Sequence, residues 1–128
     1  MGVQHITSKA QLDALLASTT YVMVDFYADW CPPCKAIAPV YEQLATKHTV
    51  DDGMLAFAKV NTDTVQAAAA AHRISAMPTF LFFEEGKQVL VNGQLSTQDA
   101  NPPALTAAAE KLGRVARAKK EEKDKAAA

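Results

Sequence analysis

The chain has 128 residues, 49% of them hydrophobic, 21% charged and 7% aromatic, with a formal net charge of −1. These values describe one soluble globular domain and exclude a disordered chain, which carries far fewer apolar residues. They also exclude collagen-like and disulfide-stapled chains, which carry far more Gly or Cys. No window approaches the ~18 consecutive apolar residues of a membrane span, so no membrane association is expected. The start, Met1-Gly2-Val3-Gln4-His5-Ile6, has neither a basic nor an apolar leader region, and a cytoplasmic protein is expected. Gly2 fits a myristoylation signal, but Ile6 stands where Ser or Thr is required, and a lipid anchor is set aside.

Charge is unevenly divided. Through Glu110, 6 Lys/Arg face 11 Asp/Glu; from Lys111 onward, 7 face 3. The body is acidic and the end basic. Lys119-Lys120-Glu121-Glu122-Lys123-Asp124-Lys125 mixes its signs too closely for a phosphate-tracking stripe, and no nucleic-acid partner is expected. Residues 119–128 read as a solvated, frayed tail on a domain spanning 1–118.

In chain order, Val3 to Ile6 fits an edge strand. Ser8-Lys9-Ala10-Gln11 has capping-box spacing ahead of Leu12, Leu15 and Leu16, which share a helical face. Tyr21 to Tyr27 is almost continuously apolar, as in a strand buried on both faces of a parallel sheet, with Asp25 as its anomaly. Leu55 to Val60 is another strand, followed by a helix start at Thr62/Asp63 and the helix-forming run Ala67 to Ala71. His72 and Arg73 read as a cationic pair at that helix's C-terminus. Thr79 to Phe83, the turn Glu84-Glu85-Gly86-Lys87, and Gln88 to Asn92 form a hairpin. Asn101 caps a last helix with Pro102 at its first position and a stripe of Leu105, Ala108, Leu112 and Val115. The order β-α-β-α-β-α-β-β-α predicts an α/β fold: a central mixed five-stranded sheet flanked by about four helices.

The only two cysteines are Cys31 and Cys34, in Trp30-Cys31-Pro32-Pro33-Cys34-Lys35. They lie between the buried strand and a helical segment containing Ile37, Val40, Tyr41 and Leu44. Cys31 therefore falls at a helix N-terminus, where the dipole and free amides favour a thiolate and lower its pKa. Cys34 follows on the same face, within disulfide reach. Pro32 and Pro33 occupy a first turn whose amides have no intrahelical partners, while Pro39 removes a bond to the Lys35 carbonyl. Alternatives stand beside this reading. The pair fits half a zinc site or two inert thiols, although His5, His48 and His72 are too scattered for the usual spacing. Asp25 fits a strand-end cap, and Lys59 a snorkelling surface lysine.

The run Val24-Asp25-Phe26-Tyr27-Ala28-Asp29-Trp30-Cys31-Pro32-Pro33-Cys34-Lys35 closely resembles the thioredoxin family. So do Pro39, Lys59 in Ala58-Lys59-Val60-Asn61-Thr62-Asp63, Met77-Pro78-Thr79-Phe80, and Gly93. The resemblance extends to about Val115 and implies a thioredoxin fold and a protein-disulfide reductase serving cell redox homeostasis and electron transport. It implies Cys31 as attacking thiol, Cys34 as resolving thiol, and Asp25 as the buried carboxylate that accepts and returns the Cys34 proton, partly neutralised by Lys59. A buried carboxylate suits that task because burial raises its pKa toward neutrality. Pro78 corresponds to the family's cis-proline, and Met77 offers backbone hydrogen bonds to an extended substrate. Trp30, Ala76, Met77, Asn92 and Gly93 are expected to surround the site as a docking surface.

No bound cofactor is implied beyond the redox-active Cys31–Cys34 disulfide, restored by thioredoxin reductase with electrons from NADPH. The implied partners are that reductase and disulfide-containing proteins, with the chain a monomer. Two departures from the family pattern are the Pro-Pro pair between the cysteines and a longer stretch, Gln94 to Ala100. An oxidase or isomerase of the same fold, a glutaredoxin, and a binding module that grips partners without chemistry are the competing readings.

Overall fold

The computed structural model describes residues 2–93, 96–97 and 101–127. Ten elements follow one another: β1 (Gln4–Ile6), α1 (Lys9–Ser18), β2 (Tyr21–Tyr27), α2 (Pro32–His48), β3 (Leu55–Asn61), α3 (Gln66–Ala71), β4 (Thr79–Glu84), β5 (Lys87–Gln88), β6 (Ser96–Thr97) and α4 (Pro102–Ala127). The strand order is β1-β3-β2-β4-β5, with β6 also on β4. β1 and β2 run parallel to β3, whereas β4 runs antiparallel to β2. The expected mixed sheet with four helices is the one observed.

Strand alternation sorts side chains onto two faces. On one, Met23, Phe57, Phe80 and Phe82 pack with Ile37, Tyr41 and Leu44 of α2 and Leu105 and Leu112 of α4. On the other, Val22, Val24, Phe26, Val60, Leu81 and Phe83 pack with Leu12 and Leu16 of α1 and Ala68 of α3. β2 is buried on both faces, hence its near-continuous apolar run. Tyr41 locks α2 to the sheet: its hydroxyl proton is shared between the carbonyls of Met23 (3.0 Å) and Ala58 (2.8 Å).

Local chemistry sets the element ends. Ser8 caps α1 by accepting from the Gln11 amide at 3.1 Å. Glu85 (φ 52°) and Gly86 (φ 83°) both take the left-handed conformation that a tight two-residue hairpin turn requires. Asn101 caps α4, its side chain accepting from the Ala104 amide at 3.1 Å.

Four expectations are corrected. The last strand is not continuous over 88–92: β5 pairs with Phe83 and Glu84, while β6 pairs with Phe80 and Leu81. The two pieces divide the outer edge of β4 between them. α3 begins after Val65 and not at Thr62/Asp63, because Thr62 is turned back, its amide and hydroxyl both donating to the Tyr27 carbonyl at 2.8 and 3.1 Å. His72 is not half of a cationic pair. Its ring packs against Phe26 and Phe83, and burial lowers its pKa. Residues 119–127 continue α4 as helix in place of a frayed tail and stay exposed over 121–127 as a solvated end, while Lys119 pairs with Glu84 (3.6 Å) and Lys120 with Asp52 (3.5 Å). Of the longer stretch Gln94 to Ala100, all but Ser96 and Thr97 lies outside the described residues.

Candidate active site

β2 ends at Tyr27, and the chain crosses Ala28-Asp29-Trp30 to enter α2. Cys31 is the N-cap of α2, with Pro32 and Pro33 in the first turn. There the prolines displace no helical hydrogen bond. The Cys34 amide, left free by that turn, donates to Cys31 Sγ at 3.2 Å. Cys31 and Cys34 form a disulfide with their Cα atoms 5.3 Å apart. Both residues are buried, in a small cluster with Ala28, Tyr27 and Met77. Cys31 Sγ lies 3.7 Å from the Met77 carbonyl oxygen.

The Met77–Pro78 peptide bond is cis, as the resemblance implies. Pro78 is buried and Ala76 and Met77 are half-buried. The Ala76 carbonyl accepts from the Thr79 hydroxyl at 2.5 Å, tying the loop to the start of β4. Trp30 is 65% exposed, with its indole Nε1 donating to Asp63 Oδ2 at 2.9 Å. The neighbouring Asn61 donates to Asp29 Oδ2 at 3.2 Å and accepts from the Asp63 amide at 2.9 Å. This chain of polar contacts fastens the loop after β3 to the loop carrying Trp30. Asp63 and Asn61 were not expected at the site. The signal for them was the pair of chain reversals following β2 and β3, whose parallel pairing brings the two loops to one end of the sheet.

Alternation places Asp25 on the face of β2 that α2 covers, two residues from Met23. Its register partners are Lys59 on β3 and Phe80 on β4. Asp25 is 1% exposed, and its Oδ1 has no hydrogen-bond partner. Burial raises its pKa from 3.8 to about 7, against the opposing charge of Lys59. Lys59 is not in an ion pair with Asp25: its ammonium sits 4.5 Å from the centroid of the Tyr27 ring. A cleft of about 140 Å³ reaches in here, lined by Tyr27, Ala28, Asp29, Cys34, Lys35, Ala38 and Lys59. Among the described residues, no group of three or more His, Cys, Asp or Glu is placed to hold a metal ion.

Asn92, expected on the docking surface with Gly93, lies in a different cleft. Asn92 lines a cleft with Tyr21 and Glu84, the register pair at the opposite end of β2 and β4 from Phe26 and Thr79. The reason is the interruption of the last strand. Asn92 (φ 55°) and Gly93 (φ 78°) turn the chain between its two pieces, and β6 is the piece beside the start of β4.

The Thioredoxin family profile matches residues 3–107. The chain is 68% identical over 114 residues to "Thioredoxin-like protein" of Fusarium culmorum, covering 89% of this chain and 93% of that one. It is 56% identical over 118 residues to "Thioredoxin" of Neurospora crassa, covering 92% of each. Among solved structures, Plasmodium falciparum thioredoxin is similar with a TM-score of 0.75 and 36% identity, over 85% of this chain and 98% of that chain. The chain belongs to the thioredoxin family. With its vicinal cysteine pair it is a thiol–disulfide oxidoreductase, and the reductase activity read from the sequence stands. Its redox-active group is the Cys31–Cys34 disulfide itself.

Proposed function

We propose that the reduced chain transfers two electrons from its dithiol to disulfides in protein substrates. The observation that carries this reading is Cys31 at the N-cap of α2, with the Cys34 amide donating to its sulfur. That placement favours the Cys31 thiolate. The thiolate attacks one substrate sulfur, the substrate S–S bond breaks, and a mixed disulfide forms on Cys31. Asp25 then takes the proton of Cys34. The Cys34 thiolate attacks Cys31 Sγ, closes the Cys31–Cys34 bond and expels the second substrate thiolate, which takes up a proton. Lys59 tempers the charge of Asp25. Trp30, Ala76, Met77 and Pro78 form the docking surface, the Met77 backbone pairing with an extended substrate segment.

A flavoprotein thioredoxin reductase restores the dithiol with electrons from NADPH, and the chain works as a monomer in the cytoplasm. Rapid-mixing single turnovers test the mechanism. Asp25→Asn is expected to slow the resolving step near neutral pH by about 100-fold or more, the usual worth of a placed proton acceptor, and to leave the first attack unchanged. Equal slowing of both steps removes Asp25 from this role. A reduction potential near about −270 mV supports the reductase direction, and one near about −180 mV points to oxidase or isomerase chemistry.

A further inference from the structure

Asp25 and Tyr27 lie on the same face of β2, two residues apart, and Lys59 is the register partner of Asp25 on β3. The Lys59 ammonium therefore has two partners within its reach, a carboxyl and an aromatic ring. It takes the ring, 4.5 Å from the Tyr27 centroid, and leaves Asp25 Oδ1 buried without a partner. We propose that Tyr27 is a positioning residue: its ring holds the Lys59 ammonium in the cleft, off the Asp25 carboxyl, and so keeps that carboxyl free to take up the Cys34 proton. The proposal rests on the role given to Asp25 above.

The surroundings leave few competitors for Lys59. β4 opposes Asp25 with the apolar Phe80. α2 brings Tyr41, whose hydroxyl proton is committed to the Met23 and Ala58 carbonyls, and Cys34 and the cation Lys35, which line the cleft with Lys59. Asp29 lines the cleft too, and its Oδ2 accepts from Asn61. A cation over an aromatic face is held by the ring quadrupole. The same cation in contact with a buried carboxylate stabilises the charged form and makes the carboxylate a weaker base. Tyr27 thus separates two functions of Lys59: a nearby positive field remains, and a direct ion pair does not form.

The test is an NMR titration of the Asp25 carboxyl carbon in the oxidised full-length chain. Tyr27→Leu, and Tyr27→Met as a longer, unbranched replacement that also lacks a π face, are expected to lower the Asp25 midpoint by about one pH unit or more, as a contacting cation does. Tyr27→Phe, which keeps the ring, is expected to leave it in place. In a Lys59→Met background, Tyr27→Leu is expected to move nothing. An unmoved midpoint in both ringless variants, or an equal shift without Lys59, overturns the proposal. The carboxyl is read directly, so this result is separate from the single-turnover test of whether Asp25 takes the Cys34 proton.

Discussion

Gly113 of α4 lies so close under the His48 imidazole of α2 that a Cβ there would stand 2.9 Å from Nδ1. Arg117 closes the other side, with Nη1 at 3.1 Å from the same point. Alanine ordinarily improves a helix interior over glycine by about 1 kcal/mol. Here overpacking of about 1–3 kcal/mol opposes that gain, because the buried ring must shift to admit the methyl group. Gly113→Ala is expected to destabilise the chain in chemical denaturation, and to become neutral or stabilising in a His48→Ala background. A stabilising Gly113→Ala in the parent chain would show that α2 and α4 separate freely.

His48 is 5% exposed, and neither ring nitrogen has a hydrogen-bond partner. Burial lowers its pKa, aided by Lys47 and Arg117 and opposed by Glu110. The unfolded chain, with a histidine of ordinary pKa near 6.5, binds a proton that the folded chain resists. Stability from the neutral ring is therefore complete above about pH 6.5 and is lost as pH falls below it. Unfolding free energies of parent and His48→Gln between pH 8 and 5 check this: the parent is expected to lose more stability over that interval.

Asp25 has the opposite sign. Its folded pKa of about 7 lies above the ordinary 3.8, so the folded state holds a proton that the unfolded state releases between those values. Stability falls as pH rises through this window, by roughly 4 kcal/mol if the whole shift is expressed. Asp25→Asn in the oxidised form is expected to be more stable than the parent at pH 8, with the advantage shrinking toward pH 4. Guanidinium unfolding at the two pH values reads it directly. Equal stability at pH 8 would contradict the burial of a charged carboxylate.

Trp30 presents a largely exposed indole whose orientation rests on one hydrogen bond to Asp63. Such a bond to a carboxylate is worth about 1 kcal/mol where water competes. Asp63→Ala is expected to raise KM for a protein disulfide by about 3- to 10-fold and leave kcat unchanged. A fall in kcat with unchanged KM would place Asp63 in the chemical steps and not in docking.

The parts of the site legible in the sequence are those fixed by short-range pattern. Cys31 and Cys34 stand at a strand-to-helix junction marked by two prolines, and Asp25 interrupts an apolar strand. Its face follows from period-two alternation. What escaped the sequence depends on long-range contacts. Val89-Leu90-Val91 has strand composition, yet Leu90 is 60% exposed and the edge of β4 is shared with β6. Lys119 and Lys120 look like part of a solvated run until Glu84 and Asp52 are placed beside them. Thr62 and Asp63 have the chemistry of a helix cap, but their partners are Tyr27 and Trp30 across the sheet. Lys59 is tied to Asp25 by the family resemblance, whereas the seat of its ammonium over the Tyr27 ring is a long-range contact that no local pattern reveals.

The broken outer strand has a consequence for the chain at high concentration. A sheet recruits another molecule through a long, flat row of unpaired main-chain groups. Among the described residues, one border is the three-residue β1 and the other is the two two-residue pieces β5 and β6. Among the described residues neither border presents an element of ordinary strand length, which disfavours edge-to-edge pairing, while β2 and β3, the longest strands, lie inside the strand order.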